Sequence, residues 1–92
     1  MYFVYILLMH NGQLYTGSTS NLQNRLAEHN ISKVISTKTY LPLKLLHYET
    51  YYLKSDAQRR ERFLKTTEGK RLLKQQIRDV LIQFNYLPSQ KN

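Results

Sequence analysis

The chain contains no cysteine and no tryptophan, and its 92 residues include only three glycines and two prolines. The absence of cysteine excludes a disulfide framework, a thiolate zinc site and a cysteine nucleophile. No apolar run approaches the ~20 residues that span a bilayer. The apolar run at residues 2–8 has no basic residue before it, and it is too short and too aromatic for a signal peptide. We therefore expect a cytoplasmic location by default.

The length and composition predict one domain. Hydrophobic residues make up 41% of the chain, which is enough for a single core. The chain is slightly shorter than the usual domain of roughly 100–150 residues, and it shows no internal repeat and no proline-rich linker. We expect a domain at residues 1–84, followed by a loose C-terminal tail at 85–92 that contains Pro88.

The positive charge is concentrated in one part of the chain. The net charge is +8, and residues 54–78 account for +6 of it, whereas residues 1–53 carry +2 and the last fourteen residues sum to zero. This clustering predicts a polyanion partner, most simply nucleic acid. The alternative is a solvated helix surface without a partner. A membrane surface is disfavoured because the basic helices lack a broad apolar face with phenylalanine or tryptophan.

The hydrophobic pattern predicts an α/β fold of the α+β type, with the element order β-β-α-β-α-α. We expect strands at 2–9, 13–17 and 43–52 in a small three-stranded antiparallel sheet flanked by three helices. Capping boxes predict that Ser20 and Ser55 begin the first two helices, at 21–30 and at 55 to about 66. The third helix begins near Thr67, and residues 31–42 form a surface loop. The inward stripe predicted for the third helix is Leu72, Leu73, Gln76, Ile77, Val80, Leu81 and Phe84.

The turn between the first two strands decides which residues share a face of the sheet. A two-residue turn at Asn11-Gly12 places Tyr5 and Tyr15 on opposite faces. A three-residue loop at 10–12, with Gly12 in the left-handed region, places both tyrosines on one face and sets Tyr5 opposite Gly17. We predict the three-residue loop.

Polar residues fall on helix faces where the spacing favours apolar ones. Arg25 and His29 flank the apolar face of the first helix, and Glu61 lies between two apolar positions of the second. An arginine or a glutamate that is buried without a partner is costly. A cavity that gathers these three residues suits a phosphate and a divalent cation. The alternative is an internal ion pair between Arg25 and Glu61 that has no chemical role.

Several short motifs follow one another in a characteristic order. They are Val4-Tyr5-Ile6, Tyr15-Thr16-Gly17, Arg25-Leu26-Ala27-Glu28-His29 and Ala57-Gln58-Arg59-Arg60-Glu61-Arg62-Phe63-Leu64-Lys65. This ordered set resembles the GIY-YIG nuclease superfamily, in the form of a small stand-alone member, over about residues 2–75. Val4 and Thr16 stand where the family pattern has glycine and isoleucine, and neither change removes a functional side chain.

The resemblance implies a metal-dependent endonuclease that hydrolyses phosphodiester bonds in DNA. It assigns Tyr5 and Tyr15 as the paired motif tyrosines, Arg25 and His29 as the motif arginine and histidine, and Glu61 as the metal ligand. One Mg²⁺ or Mn²⁺ held by a single carboxylate, waters and a phosphate oxygen fits such a site. The planar donor fork of Arg25 suits the phosphate charge, and Tyr15 holds the water or the phosphate.

The sequence leaves two residues open as the general base. Tyr5 needs nearby positive charge to act as a base, because the usual pKa of tyrosine is near ~10. His29 is the alternative, since the usual pKa of histidine is near ~6.5. A non-catalytic nucleic-acid-binding module with the same fold is the alternative to the enzyme as a whole.

The expected partner is DNA, with no membrane and no small-molecule cofactor, and the protein is expected to be a monomer or a weak homodimer. Single-stranded or distorted DNA is favoured, because tyrosines in a basic groove can stack on unpaired bases. The residues expected to follow the DNA backbone are Lys38, Lys54, Arg59, Arg60, Arg62, Lys65 and Lys70.

Overall fold

Three antiparallel strands form the centre of the structure, a computed structural model that describes residues 1–31 and 41–86. They are β1 (Tyr2–Leu8), β2 (Leu14–Thr19) and β3 (Lys44–Tyr51), in the spatial order β2-β1-β3. The helices are α1 (Leu22–Asn30), α2 (Lys54–Leu64), α3 (Thr67–Gln76) and α4 (Arg78–Gln83). The predicted sheet and element order are confirmed. Most of the predicted loop at 31–42, and Lys38 with it, lies outside the described residues.

The hairpin between β1 and β2 has the predicted three-residue loop. The Met9 amide donates to the Gln13 carbonyl at 2.9 Å, and Gly12 closes the loop with a φ of +87°. Leu7 therefore faces Tyr15, and Tyr5 faces Gly17. This register places both tyrosines on one face of the sheet, as predicted.

The two faces of the sheet have different partners. One face packs against α2, α3 and α4, and its buried cluster contains Val4, Ile6, Leu46, Ala57, Leu64, Leu73, Ile77 and Leu81. The opposite face carries Tyr5 and Leu7, and the buried residue that α1 contributes there is His29. Two residues of the predicted inward stripe, Leu72 and Gln76, are exposed instead.

The helix boundaries differ from the predicted ones for local reasons. Asn21, not Ser20, caps α1, and its side chain accepts a hydrogen bond from the Asn24 amide at 3.0 Å. The capping box predicted at Ser55 does not form, because the helix already begins at Lys54 and Leu53 occupies the cap position. Thr66 caps α3 by accepting from the Gly69 amide.

The predicted third helix is divided in two at Ile77. Its backbone leaves the helical conformation there, with φ −109° and ψ 30°, and the short α4 follows. Asn85 has a positive φ of 59°, and the Tyr86 amide donates to the Leu81 carbonyl at 2.8 Å. Tyr86 packs against the core, and the rest of the predicted C-terminal tail, residues 87–92, lies outside the described residues. Within residues 1–31 and 41–86, no helix is long and apolar enough to cross a membrane.

A polar cluster around Glu49 joins β3 to α2. The Arg60 guanidinium donates to both Glu49 carboxylate oxygens, at 2.9 and 3.2 Å. His47 and Tyr51, which lie on the same side of β3 as Glu49, contact the carboxylate at 2.9 and 2.7 Å. Burial alone would raise the pKa of Glu49, but the hydrogen bonds from Arg60, His47 and Tyr51 outweigh it and lower the pKa to about 2. Burial and the Glu49 contact raise the pKa of Tyr51 to about 12.

The Glu49 cluster predicts a specific acid sensitivity. The pKa of Glu49 is depressed on folding, so its contribution to stability is complete above the ordinary carboxyl pKa and is lost as the pH falls from ~4.5 towards ~2. We expect Glu49→Gln to lower the free energy of unfolding at pH 7 by about 3 kcal/mol. The free energies of unfolding, measured by urea denaturation, should converge for the variant and the wild type as the pH approaches 2.

Glu68→Gln is the matched control, because Glu68 pairs with Arg71 on an exposed helix face and such pairs contribute little. It should leave the pH dependence of stability unchanged. Parallel acid dependences for the wild type and Glu49→Gln would contradict the assignment.

Candidate active site

Three of the predicted site residues form one cluster between the sheet and α1. The ring centroids of Tyr5 and Tyr15 are 6.3 Å apart, and the His29 ring lies 5.7 and 5.3 Å from them, edge to face. The Tyr5 hydroxyl is 3.0 Å from His29 Nε2. The hairpin register thus brings Tyr5 and Tyr15 together as predicted, and α1 places His29 beside them.

Gly17 allows the Tyr5 ring to extend across β2. A Cβ atom at position 17 would lie 2.5 Å from the Tyr5 hydroxyl oxygen, which is far inside van der Waals contact. Because β2 is at the edge of the sheet, a phenol that crosses it also lies at that edge. A glycine opposite Tyr5 is therefore a spatial requirement of this site.

Burial separates the five predicted residues into two groups. Tyr5 and His29 are each 1% exposed, whereas Tyr15 is half-buried and the Arg25 side chain is 37% exposed. The Arg25 guanidinium interacts with the Tyr5 hydroxyl and also donates to Glu28 at 3.0 Å. Arg25 and Tyr15 can therefore meet a ligand directly, with Tyr5 and His29 behind them.

The buried pair is held in its neutral form. Burial raises the pKa of Tyr5, and the opposing influence of Arg25 does not cancel this increase. Burial also lowers the pKa of His29, and the positive charge of Arg25 lowers it further. A protonated phenol and an uncharged imidazole in contact form a pair that can receive and pass on a proton.

Glu61 approaches β2 from the opposite side of the sheet. One carboxylate oxygen accepts from the Ser18 hydroxyl at 2.5 Å, and the other contacts the Lys65 ammonium at 2.8 Å. Burial acts to raise the pKa of Glu61, but these hydrogen bonds and the nearby positive charges lower it below its ordinary value. Glu61 is therefore ionised, and its side chain is 21% exposed.

The site consequently lies on both sides of one edge strand. Tyr15 and Gly17 project towards α1, whereas Thr16 and Ser18 project towards α2. The Tyr5 hydroxyl lies over Gly17, and the next residue, Ser18, holds Glu61, so the two groups are placed by adjacent residues of one strand. The alternative of an Arg25–Glu61 ion pair is wrong, because Arg25 pairs with Glu28 and Glu61 pairs with Lys65.

Two grooves flank the contact between Ser18 and Glu61. The first, which we call the Lys54 groove, has a volume of about 270 Å³ and is lined by Tyr2, Ser18, Thr19, Ser20, Lys54, Ala57 and Gln58. The second, the Lys70 groove, has a volume of about 340 Å³ and is lined by Gln13, Leu14, Thr16, Leu64, Lys70, Leu73, Lys74 and Tyr86. Two of the predicted backbone-binding lysines, Lys54 and Lys70, thus lie beside the site.

The other predicted basic residues have different surroundings. Arg60 is committed to Glu49, so it serves the packing of α2 against β3 rather than the nucleic-acid surface predicted for it. Arg59 forms an exposed ion pair with Asp56, and Lys65 is bound to Glu61. Arg62 is exposed.

Two residues beside the candidate site, Ser18 and Lys74, were not among the predicted site residues. The alternation of β2 places Ser18 on the helix-facing side, yet nothing in the sequence alone shows that Glu61 is its partner. Lys74 could have been predicted from the sequence, because it follows Lys70 by four residues and so lies on the same side of α3.

The chemistry of the donor set limits which metal the site can hold. Residues 1–31 and 41–86 contain no group of three or more histidines, cysteines, aspartates or glutamates that could hold a metal ion. One carboxylate, Glu61, stands beside the hydroxyl oxygen of Ser18. A hard cation that keeps most of its waters and uses substrate phosphate oxygens fits this set, whereas a caged transition metal does not.

Comparison with known proteins agrees with the geometry. Residues 1–75 match the GIY-YIG catalytic domain. A UPF0213 protein of Staphylococcus haemolyticus is 40% identical over 74 residues, which cover 79% of this chain and 90% of that protein. A UPF0213 protein of Halobacterium salinarum is 40% identical over 62 residues, covering 66% of this chain and 80% of the relative.

The fold of a solved relative is also similar. The solution NMR structure of a UPF0213 protein from Bacillus halodurans has a TM-score of 0.51 and 26% identity, and the match covers 96% of this chain and 89% of the other. The extent of the domain match and the identity to these relatives establish the family. The chain belongs to the GIY-YIG family and so to the nuclease superfamily that this catalytic domain defines.

Proposed function

We propose that this protein is a divalent-metal-dependent endonuclease that hydrolyses phosphodiester bonds in DNA and prefers single-stranded or distorted strands. The observation that carries the proposal is the convergence of Arg25, Tyr15 and the Tyr5–His29 pair on one side of β2 with Glu61 on the other. A phosphate at this edge meets a planar cation on one side and a carboxylate for a metal ion on the other.

Arg25 is the group that meets the phosphate. Its side chain is 37% exposed, and its partner Glu28 is a neighbour on the same helix, so the guanidinium can turn towards a ligand without disturbing the core. A guanidinium presents two parallel donors to a phosphate and stabilises the charge that develops during displacement. Because the Arg25 guanidinium lies near the Tyr5 hydroxyl and interacts with it electrostatically, its movement towards the phosphate leaves that hydroxyl to the attacking water.

Glu61 holds the metal ion in this proposal. Mg²⁺ binds through one or two carboxylates and takes its remaining oxygen ligands from water and substrate phosphates. The bound ion supplies Lewis-acid stabilisation of the phosphate charge. Ser18 holds one Glu61 oxygen, and Lys65, whose side chain is 55% exposed, would leave the other oxygen to a metal ion.

We assign His29 as the acceptor of the proton and Tyr5 as the group that relays it. The raised pKa of Tyr5 opposes a stable phenolate, whereas the lowered pKa of His29 keeps its ring neutral at pH 7. With the ring proton on Nδ1, Nε2 accepts from the Tyr5 hydroxyl at 3.0 Å. Tyr15, half-buried beside both, orients the water.

The preference for single strands is supported by the aromatic residues near the site. Tyr2 lines the Lys54 groove and Tyr86 lines the Lys70 groove. A tyrosine ring beside basic side chains can stack on the aromatic face of any unpaired base, whatever the sequence. Paired bases in an intact duplex do not present those faces.

The role of Glu61 predicts a separation of cleavage from binding. We expect Glu61→Gln to lower the cleavage rate at saturating Mg²⁺ by at least about 100-fold, because the metal loses its only carboxylate. Binding to the same oligonucleotide without metal should not weaken, since the change removes a negative charge. Cleavage is measured on end-labelled single-stranded, duplex and branched DNA, and binding by fluorescence anisotropy.

Glu28→Gln is the matched control, since Glu28 contacts Arg25 rather than the metal position. It should keep metal-dependent cleavage within a few-fold of the wild type. Binding without cleavage of any substrate by the wild type would favour the non-catalytic binding module. Equal cleavage of intact duplex would contradict the strand preference.

The Tyr5–His29 pair predicts the pH dependence of cleavage. If neutral His29 accepts the proton, the rate should rise with pH through a pKa below the usual ~6.5 and then level off. His29→Gln should remove this ascending limb, whereas Tyr5→Phe should lower the rate and keep the limb. His10→Gln is the control, because His10 is exposed in the hairpin loop.

Circular dichroism of each buried variant is the control for folding, and its spectrum should match that of the wild type. An ascending limb at alkaline pH that disappears in Tyr5→Phe would make Tyr5 the base instead.

A further inference from the structure

The path of the bound strand can be read from the way β2 and α2 lie side by side. The Ser18–Thr19 end of β2 lines one groove with residues 54–58 of α2, Ser18 donates to Glu61, and Thr16 lines the other groove with Leu64. The two elements therefore run in opposite directions along one seam. Along this seam the Lys54 groove comes first, the Ser18–Glu61 contact is in the middle, and the Lys70 groove comes last.

The dimensions of the seam suit a short stretch of nucleic acid. Lys54 and Glu61 are seven residues apart on α2, which is about 10 Å along a helix axis. Thr16 lies two residues before Ser18, which is about 7 Å along a strand. Both grooves are thus within a few nucleotides of the position that Glu61 marks.

The lysines of the two grooves differ from the other cations nearby. Arg59, Lys65 and Arg71 form ion pairs, whereas Lys54, Lys70 and Lys74 form none with the part of the chain that the structure describes. No acidic residue lines either groove within the described ranges. These ammonium groups are consequently available for an external anion.

Neutral polar groups complete each groove. Thr16 and Gln13 line one groove, and Ser20 and Gln58 line the other. Hydroxyl and amide side chains are common partners of phosphate oxygens in nucleic-acid complexes. Lys74 is held over the Tyr86 ring, 5.7 Å from its centroid, so the Lys70 groove also presents an ordered cation beside an aromatic ring.

We propose that a nucleic-acid strand runs along the seam between β2 and α2, with Lys54 binding backbone phosphate on one side of Glu61 and Lys70 with Lys74 binding it on the other. The proposal rests on the proposed function for the identity of the central position. It adds the path of the nucleic acid across the molecule, and it adds Lys74, Gln58 and Gln13 as residues that contact the nucleic acid. A small anion would need one groove, whereas a linear polyanion uses both.

Salt dependence of binding tests the phosphate contacts. For a single-stranded oligonucleotide in EDTA, plots of log Kd against log salt concentration have a slope that reports the number of phosphates neutralised. Lys54→Gln should reduce the slope by about 0.7, and the double variant Lys70→Gln with Lys74→Gln by about 1.4. Lys44→Gln, an exposed lysine at the start of β3, is the control and should leave the slope unchanged. Unchanged slopes for the groove variants would overturn the proposal.

The absence of cysteine makes a second, sided test possible, because one introduced cysteine carries the only thiol. Lys54→Cys and Lys70→Cys are each coupled to a photo-crosslinker and irradiated with an oligonucleotide of about eight nucleotides, a length within the site sizes of single-strand binders. We expect the crosslinks from the two positions to fall towards opposite ends of the strand, and Lys44→Cys to give few.

Crosslinks from both groove positions at the same end would overturn the proposed path. The experiment needs no metal and no cleavage, so its outcome is separate from that of the proposed activity. Sided crosslinks from a protein that cleaves nothing would uphold the path and reject the enzyme. Cleavage that depends on Glu61, together with crosslinks that do not separate towards the two ends, would uphold the enzyme and reject the path.

Discussion

The register of the β1–β2 hairpin is the constraint on which the rest of the site depends. A slip of one residue moves every side chain of a strand to the other face of the sheet. The loop closed by Gly12, with φ +87°, sets Tyr5 opposite Gly17 and Tyr15 opposite Leu7. The same register turns Ser18 towards α2, where it meets Glu61. One tight turn therefore determines both the tyrosine cluster and the partner of the carboxylate.

An edge strand is a suitable support for such a site. In the middle of a sheet, the backbone separates side chains that lie on opposite faces. At the edge strand β2, groups from the two faces lie on either side of one strand and come close to each other. The Tyr5 ring reaches over Gly17 from one side, and Ser18 holds Glu61 on the other. The position of α2 is fixed at the far edge, where Arg60 binds Glu49 of β3. The residue that follows Arg60 in the helix is Glu61, so the structural ion pair and the site carboxylate are set by one helix placement.

Much of this arrangement could be predicted from the sequence. The features that could not be predicted have one common cause. The strands, the hairpin loop and the shared face of Tyr5 and Tyr15 follow from local patterns and spacing, whereas the place of His29 in the same site was implied by the family resemblance. The sequence does not show which charged residues form structural ion pairs and which remain free on the surface, because this depends on which helix packs against which strand. Arg60 looked like Arg59 and Arg62 in the sequence, yet only Arg60 lies against Glu49. Ser18 was overlooked for the same reason, and the break at Ile77 carries no proline or glycine to mark it.

The central claim is that residues on both faces of β2 share one site for a divalent cation at Glu61. Titration of the isotopically labelled protein with Mn²⁺ tests it directly, because the ion broadens the NMR signals of nearby amides without any need for catalysis. The account predicts that the amide signals of Gly17, Ser18 and Glu61 broaden first in the wild type and remain sharp in Glu61→Gln. Broadening that is centred elsewhere, or that persists in the variant, would contradict it.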